Sequence, residues 1–343
     1  MTLFRDDIHK NFSEFCFQIG SNRLLVQGGG GNVSWKDGNC LWVKASGTRI
    51  SDAMDEDIFV PVDLSELRKE ISRNSFDQPP SLLDEGLKRP SIETMFHGIL
   101  PHKFVVHLHE VNSLSRLVSE QCVSWFEHRL PRDFSWAFVP YNKPGGELAQ
   151  AIHGINCDLG ALDFILLQNH GIIVVDDELS SLSEKLKRFL DVVEVPSKLN
   201  DTSDPCIELE LHEPVRSVFD WVLEPQINML ATDSYYLQRV RENWVMYPDH
   251  AVFLGPCPCI VEHDDLTSGR VKNLLEYDFV FVNGHGVLQK NNTSAGAVAQ
   301  LLCFLDVVMR LEPNTKIKNL SHVEVDALLE WDAEKYRQRQ AKL

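Results

Sequence analysis

Apolar residues near the start of the chain recur every three and four positions, which predicts an amphipathic helix over residues 4–20. Four consecutive glycines at 28–31 predict a loop that leads into a strand, because a glycine run is unfavourable inside a helix. Further apolar runs predict four strands, at 41–45, 104–111, 162–167 and 172–175. The pattern also predicts four helices, at 91–100, 113–119, 148–155 and 181–194.

The second part of the chain repeats part of the first. When residues 163–193 are aligned without a gap to 278–308, ten of the 31 positions are identical, including the His-Gly pairs at 170–171 and 285–286. We interpret this as a repeated strand–turn–strand–helix unit, against the alternative of two unrelated but similar α/β patterns. The polar, proline-bearing stretch at 196–214 is typical of a linker. The predicted domains are therefore 1–195 and 215–343.

Composition narrows the classes of function. The 343 residues carry a formal net charge of −17, which disfavours nucleic acid or an anionic membrane as the main partner, because phosphate contacts need clustered cations. We find neither a secretory signal pattern nor an apolar run near the roughly 18 residues that a spanning helix needs. The eight cysteines are scattered without a CxxC pair, which argues against a thiolate zinc site and favours reduced thiols in a cytoplasmic protein.

Three histidines are candidates for metal binding. His107 and His109 are two residues apart in a predicted strand, so their side chains are expected on one face, where both imidazoles could bind one divalent ion such as zinc. The alternative is a pair of hydrogen-bonded histidines. His170, at the end of an apolar strand, is a candidate third ligand, and its alternative is an ordinary turn histidine.

Glu93 is the candidate carboxylate. Close to a metal it could act as general acid or base, whereas in the first turn of a helix it could simply interact with the helix dipole, with Ser91 as the N-cap. The glycine run could present backbone amides to an anion with help from the Asn32 side chain, or it could be only a flexible hairpin. It matches neither the lysine-containing phosphate loop nor the dinucleotide-binding glycine pattern.

Five short stretches, taken together and in this order, carry a family resemblance. They are Gly30–Ser34, Ala45–Gly47, Ser91–His97, His107–His109 and Asn169–Gly171. The chain resembles the class II aldolase/adducin family, which includes fuculose-phosphate and rhamnulose-phosphate aldolases. The likeness is strongest to the aldolase part of chains fused to a short-chain dehydrogenase, and Tyr247–His250 also resembles the segment that comes after the aldolase part in those chains. The resemblance implies a three-layer α/β/α fold with a mixed, mostly antiparallel central sheet, to which the repeat adds a second, smaller α/β domain.

The resemblance also implies a role for each matched residue. His107, His109 and His170 match ligands of Zn²⁺, with another divalent transition metal as the alternative. Glu93 matches the catalytic acid or base, and Tyr141 matches a tyrosine that gives a proton to the aldehyde oxygen. Positions that bind the substrate phosphate are matched by Asn32, Ser46, Gly47 and Ser91, with a backbone amide near Gly30.

Two positions depart from the family pattern. Gly29 and Ile92 stand where related aldolases have hydroxyl residues, so the resemblance leaves phosphate recognition and the substrate open. Lys44 and Arg49 are the nearby cations that could compensate.

These implications predict a zinc-dependent aldehyde-lyase that cleaves or forms a C–C bond in a sugar phosphate or related hydroxy-carbonyl compound through a metal-stabilised enediolate. The alternatives are an adducin-like noncatalytic binding protein and a family member that performs epimerisation, decarboxylation or dehydration. Retention of Glu93 and the three histidines favours the enzyme. We expect a homo-oligomer. The second domain has no His-x-His, so we expect a degenerate, metal-free copy that either completes or covers the site or serves only in dimerisation.

Overall fold

The computed structural model describes residues 7–84, 86, 88–198, 210–211, 213, 215–267 and 274–340. The beginning of the first predicted helix and most of the predicted linker at 196–214 lie outside the described residues. Below, the N-terminal part means residues 7–198 and the C-terminal part means the described residues from 210 to 340.

The N-terminal part is built on a seven-stranded sheet in the order β3-β2-β1-β4-β7-β6-β5. Its strands are β1 (Asn32–Asp37), β2 (Cys40–Lys44), β3 (Phe59–Asp63), β4 (Phe104–Leu108), β5 (Trp136–Val139), β6 (Phe164–Leu167) and β7 (Gly171–Asp176). Its helices are α1 (Asp7–Gly20), α2 (Leu64–Ser72), α3 (Thr94–Ile99), α4 (Val111–Leu117), α5 (Cys122–Arg129), α6 (Gly146–His153) and α7 (Leu179–Val193), with short 3-10 helices at Ile50–Met54 and Leu159–Ala161. The β5–β6 pair is parallel and the other described pairs of this sheet are antiparallel.

Helices cover both faces of this sheet. One buried apolar cluster joins α1 and α7 to one face, and a second joins α2, α3 and α6 to the other. Successive residues of β4 alternate between the two clusters, with Val105 on the side of α3 and Val106 on the side of α1. The fold is therefore the three-layer α/β/α arrangement with a mixed, mostly antiparallel sheet that the resemblance implied.

The C-terminal part contains a smaller sheet in the order β8-β11-β10-β9. Its strands are β8 (Phe219–Trp221), β9 (Cys259–Val261), β10 (Phe279–Val282) and β11 (Gly286–Lys290). Its helices are α8 (Pro225–Thr232), α9 (Ser234–Glu242), α10 (Pro248–Leu254), α11 (His263–Thr267), α12 (Ala295–Val308), α13 (His322–Leu329) and α14 (Asp332–Gln340), with a 3-10 helix at Leu274–Glu276.

The sequence repeat corresponds to a structural repeat. The antiparallel register of β6 with β7 pairs Phe164 with Val174, and that of β10 with β11 pairs Phe279 with Gln289, so the same shift of 115 residues relates the two hairpins. A helix follows each hairpin, α7 in the first case and α12 in the second. This agreement in register favours the repeat over two unrelated patterns.

The two parts of the chain share one apolar core. The cluster that contains α8, α10, α12 and α13 also contains Val111, Leu114 and Val118 from α4 and the residue after it. Burial of apolar surface is the main stabilising contribution in folding, so this shared core fixes the C-terminal part against the N-terminal part of its own chain.

Two predicted boundaries are wrong in ways that matter for the site. The helix predicted from residue 91 begins at Thr94, and Glu93 lies at its N-cap position without a side-chain capping bond. The strand predicted over 104–111 ends at Leu108, because the Glu110 carboxylate accepts the amides of Asn112 and Ser113 and so starts α4. Among the described helices, none combines the length and the apolar character that crossing a lipid bilayer requires.

Candidate metal centre

Three histidines meet at the end of the central strands. The Nε2 atom of His107 lies 3.2 Å from Nε2 of His109 and 3.3 Å from Nε2 of His170. All three residues are buried, and each offers a ligand nitrogen within 4.8 Å of the other two. The structure therefore contains a buried group of imidazoles that could hold a metal ion.

Strand geometry and one tight turn bring these rings together. His107 is on the α3 side of β4, where its ring contacts Phe96, and His109 follows the last residue of that strand. His170 lies in the turn between β6 and β7, just after Asn169, which has a left-handed φ of 55°. The next residue, Gly171, must be glycine, because any Cβ at this position would collide with the backbone carbonyl of Leu108. The glycine thus lets the His170 turn pack directly against the end of β4.

The Nδ1 atoms of the three rings, which face away from the converging Nε2 atoms, have different surroundings. Nδ1 of His107 is 3.0 Å from the Ile172 carbonyl oxygen, which makes Nδ1 the protonated nitrogen and leaves the Nε2 lone pair for a ligand bond. Nδ1 of His109 lies 3.4 Å from Oδ2 of Asp249 in the C-terminal part. Nδ1 of His170 is buried without a hydrogen-bond partner among the described residues.

The arrangement fits a divalent metal. Three nitrogens at tetrahedral zinc-ligand distances would be about 3.3 Å apart, which matches the separations of the His107 pairs. Burial lowers the pKa of His107 to about 3 and holds the pKa of His170 well below its usual value. Both imidazoles are therefore neutral at physiological pH, which is the form that binds metals.

Glu93 faces the histidine group. Its Oε2 lies 3.6 Å from Nε2 of His107 and its Oε1 lies 3.6 Å from Nε2 of His170. Oε1 is buried and has no hydrogen-bond partner among the described residues, which is the state expected of an atom that needs a cation or a substrate proton. Burial raises the pKa of Glu93 to about 7, while the hydrogen bond from Asn32 opposes this shift.

A hydrogen-bond chain fixes the orientation of Asn32. Its Nδ2 donates to Oε2 of Glu93 at 2.6 Å, and its Oδ1 contacts Nε2 of His97 on α3. Nδ1 of His97 in turn lies 2.7 Å from the Ser34 hydroxyl. Asn32 and Ser34 are on one face of β1, and the β1–β4 register places Asn32 directly opposite His107. The chain therefore holds the Asn32 amide with its NH₂ group toward the carboxylate.

A small polar cavity adjoins Glu93 and the histidines. Its volume is about 20 Å³, room for about one water molecule. The Ser46 hydroxyl at this cavity is buried without a hydrogen-bond partner among the described residues, and the Ser91 hydroxyl accepts the Glu93 amide at 3.2 Å. The sequence-predicted residues that line the cavity are Asn32, Ser46, Gly47, Ser91, Glu93, His109 and His170.

Other predicted residues are differently placed. The Gly30 amide donates to the Gln27 carbonyl at 2.9 Å, so in this conformation it is committed to a turn. Among the described residues that line the cavity, neither Gly30 nor Tyr141 is found. The Tyr141 hydroxyl is buried and the ring packs against the core of the C-terminal part. Lys44 does line the cavity, but its ammonium donates to three backbone carbonyls, whereas Arg49 is exposed.

The C-terminal part contributes residues that the sequence reasoning missed. Asp249 at the start of α10 and Arg337 on α14 both line the cavity, and Arg337 contacts Oδ1 of Asp249 at 2.9 Å. Glu334 accepts from Arg337 at 3.0 and 2.9 Å through its two oxygens. A Cβ on Gly47 would lie 2.7 Å from Cβ of Gln340, so α14 lies directly over this side of the cavity. One sequence signal could have pointed to Asp249: it lies in Tyr247–His250, which resembles the segment that follows the aldolase part in the fused chains.

A comparison with known families decides the assignment. A family model described as Class II Aldolase and Adducin N-terminal domain matches residues 13–194, more than half of the 343-residue chain. The chain belongs to this family. It is 30% identical over 174 residues to the uncharacterized oxidoreductase YuxG of Bacillus subtilis (strain 168), a match that covers 45% of this chain and 24% of that protein. The chain thus spans about a quarter of the length of this relative.

Two solved structures illustrate the likeness. The N-terminal class II aldolase domain of a conserved protein from Thermoplasma acidophilum is 26% identical, with a TM-score of 0.45, and the match covers 56% of this chain and 93% of that one. An L-fuculose-1-phosphate aldolase from Thermus thermophilus is 13% identical, with a TM-score of 0.37 and coverages of 55% and 93%.

Proposed function

We propose that this class II aldolase family member is a zinc-dependent aldehyde-lyase that acts on an anionic hydroxy-carbonyl compound such as a sugar phosphate. In this proposal His107, His109 and His170 bind the metal, and Glu93 is the acid or base. The observation that carries it is the convergence of three buried imidazoles on one point, with the unpartnered Oε1 of Glu93 alongside.

Buried charge supports a divalent cation. Three buried carboxyl groups, those of Glu93, Asp249 and Glu334, lie near the guanidinium of Arg337, and the buried Lys44 ammonium is a second nearby cation. Burial raises the pKa values of both Glu93 and Glu334, as expected where carboxylates lack enough positive charge. A divalent ion would add positive charge beside these carboxyl groups, which is favourable because an unpaired charge in the interior is costly.

The roles of the residues follow from their positions. When bound, the metal would supply Lewis-acid polarisation of a substrate carbonyl. Glu93 is placed to take a proton from, or return one to, a substrate carbon or hydroxyl at the cavity, and its pKa near 7 suits both directions. Asn32 holds the Glu93 carboxylate by its hydrogen bond. Ser46, Gly47 and Ser91 line the end of the cavity where we propose that the anionic group of the substrate binds.

Substrate entry requires α14 to move. Ligand pockets usually enclose about 300–1,000 Å³, whereas this cavity has about 20 Å³. Arg337 and Gln340 of α14 close it from the C-terminal part. We propose that α14 opens when substrate enters, and that Arg337 then supplies positive charge close to the anionic end.

Metal analysis tests the proposal first. We expect about one zinc per chain in purified protein, and loss of that zinc in the His107→Ala/His109→Ala double variant. His128→Ala is the matched control, because this histidine is exposed and outside the site. Protein that stays metal-free after incubation with zinc would favour the noncatalytic, adducin-like alternative.

An activity screen then separates the remaining reactions. Ketose phosphates and free sugar acids should be tested for retro-aldol cleavage, and for epimerisation, decarboxylation and dehydration, each with a chelator control. Glu93→Gln should retain zinc and lose activity by about 10²–10⁴-fold, which is typical of a missing acid or base. Activity on carboxylates alone would overturn the proposed phosphate end of the site. The domain division at 1–195 and 215–343, the homo-oligomer and the role of Tyr141 remain proposals.

A further inference from the structure

Asp249 approaches the histidine group from outside the family domain. It lies at the beginning of α10, beyond residues 13–194 that the family model matches. Its Oδ2 atom lies 3.4 Å from Nδ1 of His109, on the side of the ring away from His107. The carboxylate and the imidazole are both almost completely buried.

The surrounding residues hold Asp249 in this position. Arg337 binds its Oδ1 at 2.9 Å, and Gln300 donates to its Oδ2 at 3.4 Å. Glu334 accepts from the same terminal nitrogen of Arg337, Nη1, that binds Asp249. The two α14 residues and Gln300 of α12 are therefore arranged around one carboxylate, whose remaining free direction is toward His109.

Gly30 provides the space for this contact. A Cβ at position 30 would lie 2.8 Å from Oδ2 of Asp249 and 3.0 Å from Nδ1 of His109, so any larger residue would enter the gap between them. The third glycine of the run is thus explained by the approach of Asp249 to His109, independently of any anion.

We propose that Asp249 is a positioning residue for the metal ligand His109: the carboxylate holds the proton on Nδ1 and presents Nε2 to the metal. This inference rests on the proposed metal site. A carboxylate on the outer nitrogen of a ligand histidine fixes the ring and its tautomer, and its loss typically weakens metal binding about 10- to 100-fold. The C-terminal part thereby becomes a component of the metal centre of its own chain.

The second contact between the parts lies on the other side of the site. The Asn169 side chain, next to His170, donates to the carbonyls of Met246 and Lys318 at 2.7 and 2.6 Å. Backbone groups of the C-terminal part thus hold the turn that carries His170, while Asp249 holds the ring of His109. Two of the three proposed ligands are supported from the same part of the chain.

The test compares two buried aspartates of the C-terminal part. Asp249→Asn preserves the size of the side chain and removes its charge. Asp306→Asn is the matched control, because Asp306 is also buried and also pairs across the two parts, with Arg23 at 2.6 Å, but does not touch the histidines. Zinc affinity is measured by chelator competition, and folding by thermal melts in chelator.

We expect a 10- to 100-fold loss of zinc affinity in Asp249→Asn and an unchanged affinity in Asp306→Asn. Equal affinity in wild type and Asp249→Asn, or equal losses in both variants, would overturn the positioning role. Wild-type protein that binds no zinc would instead refute the proposed function, so the two failures are distinguishable.

A measurement on the wild type keeps the inference testable if Asp249→Asn does not fold. Side-chain ¹⁵N NMR of the zinc-loaded protein should show His109 protonated at Nδ1 and metal-bound at Nε2. Metal binding through Nδ1 of His109 would overturn the proposal.

Discussion

Replacement of Gly30 by alanine is a sharp test of how the two parts of the chain meet. The added Cβ would lie 2.8 Å from Oδ2 of Asp249, 3.0 Å from the Gln27 carbonyl oxygen and 3.0 Å from Nδ1 of His109. All three contacts are shorter than the 3.4 Å at which ordinary contact begins. The Gln27 carbonyl is backbone and accepts the amide of residue 30 itself, so it has little freedom to retreat. The strain therefore falls on the Asp249–His109 contact.

The size of the effect follows from these distances. To reach 3.4 Å, Oδ2 of Asp249 must retreat by about 0.6 Å and Nδ1 of His109 by about 0.4 Å. Overpacking of a well-packed interior costs about 1–3 kcal/mol, and replacing glycine returns about 0.4–1 kcal/mol through the unfolded state. We expect a net loss of about 1–2 kcal/mol in the free energy of unfolding. At about 2–4 °C per kcal/mol, the melting temperature should fall by about 2–8 °C.

Metal binding should suffer as well. Ligand distances in a well-formed metal site lie within about 0.2 Å of their standard values, so a shift of His109 by twice that amount should weaken zinc binding. Gly154→Ala is the control, because a Cβ there would meet only ordinary contacts at 3.5 and 3.6 Å. The assays are thermal melts in chelator and zinc competition.

A double-mutant cycle identifies the cause. In an Asp249→Ala background the clashing oxygen is gone, so Gly30→Ala should cost clearly less there than in the wild type. Equal costs in both backgrounds, or a Gly30→Ala protein as stable and as zinc-avid as Gly154→Ala, would refute the reasoning.

Three further predictions concern the charges and the cover of the site. In metal-free protein, burial raises the pKa of Glu93 from 4.5 to about 7, so the free energy of unfolding falls as pH rises through that range. In urea titrations at pH 8, Glu93→Gln should therefore be more stable than the wild type by up to about 3 kcal/mol. Burial lowers the pKa of His250 from 6.5 to about 3, so stability is lost as pH falls below 6.5. In the same titrations, His250→Leu should remove about 2 kcal/mol of the stability loss between pH 7.5 and pH 5, and an unchanged loss would contradict this account. The Arg89 guanidinium stacks 4.6 Å from the Tyr336 ring centre and so attaches α14 to the N-terminal part. Tyr336→Ala should therefore speed the removal of zinc by a chelator about 2- to 5-fold. An unchanged rate would contradict the proposal that α14 covers the cavity.

Much of the N-terminal part could be predicted from the sequence because its signals are local. Hydrophobic periodicity located five of the seven described helices of this part, with errors at ends such as Thr94 and Leu108. It did not predict α2, α5, β3 or β5. Side chains two apart in a strand share a face, so His107 and His109 could be proposed as a pair before any fold was known. The repeat could also be detected by aligning the sequence with itself, and the two hairpins that it relates have the same register.

The other features depend on contacts between distant segments. His170 reaches His107 because β7 pairs with β4, and nothing local to residue 170 reveals that neighbour. The glycine at position 30 looked like part of an anion-binding loop, yet the close approach of Asp249 gives it a different explanation.

The sequence by itself determined which side chains are available for metal chemistry and on which faces of their elements they lie, since propensity and periodicity act over a few residues. Only the tertiary structure decided that Asp249 and Arg337, 140 and more residues after His107, would reach the same site. The physical reason is that burial of a shared apolar core sets the position of α10, and that burial is nondirectional. A periodic pattern shows which face of an element is buried but not which distant element covers it.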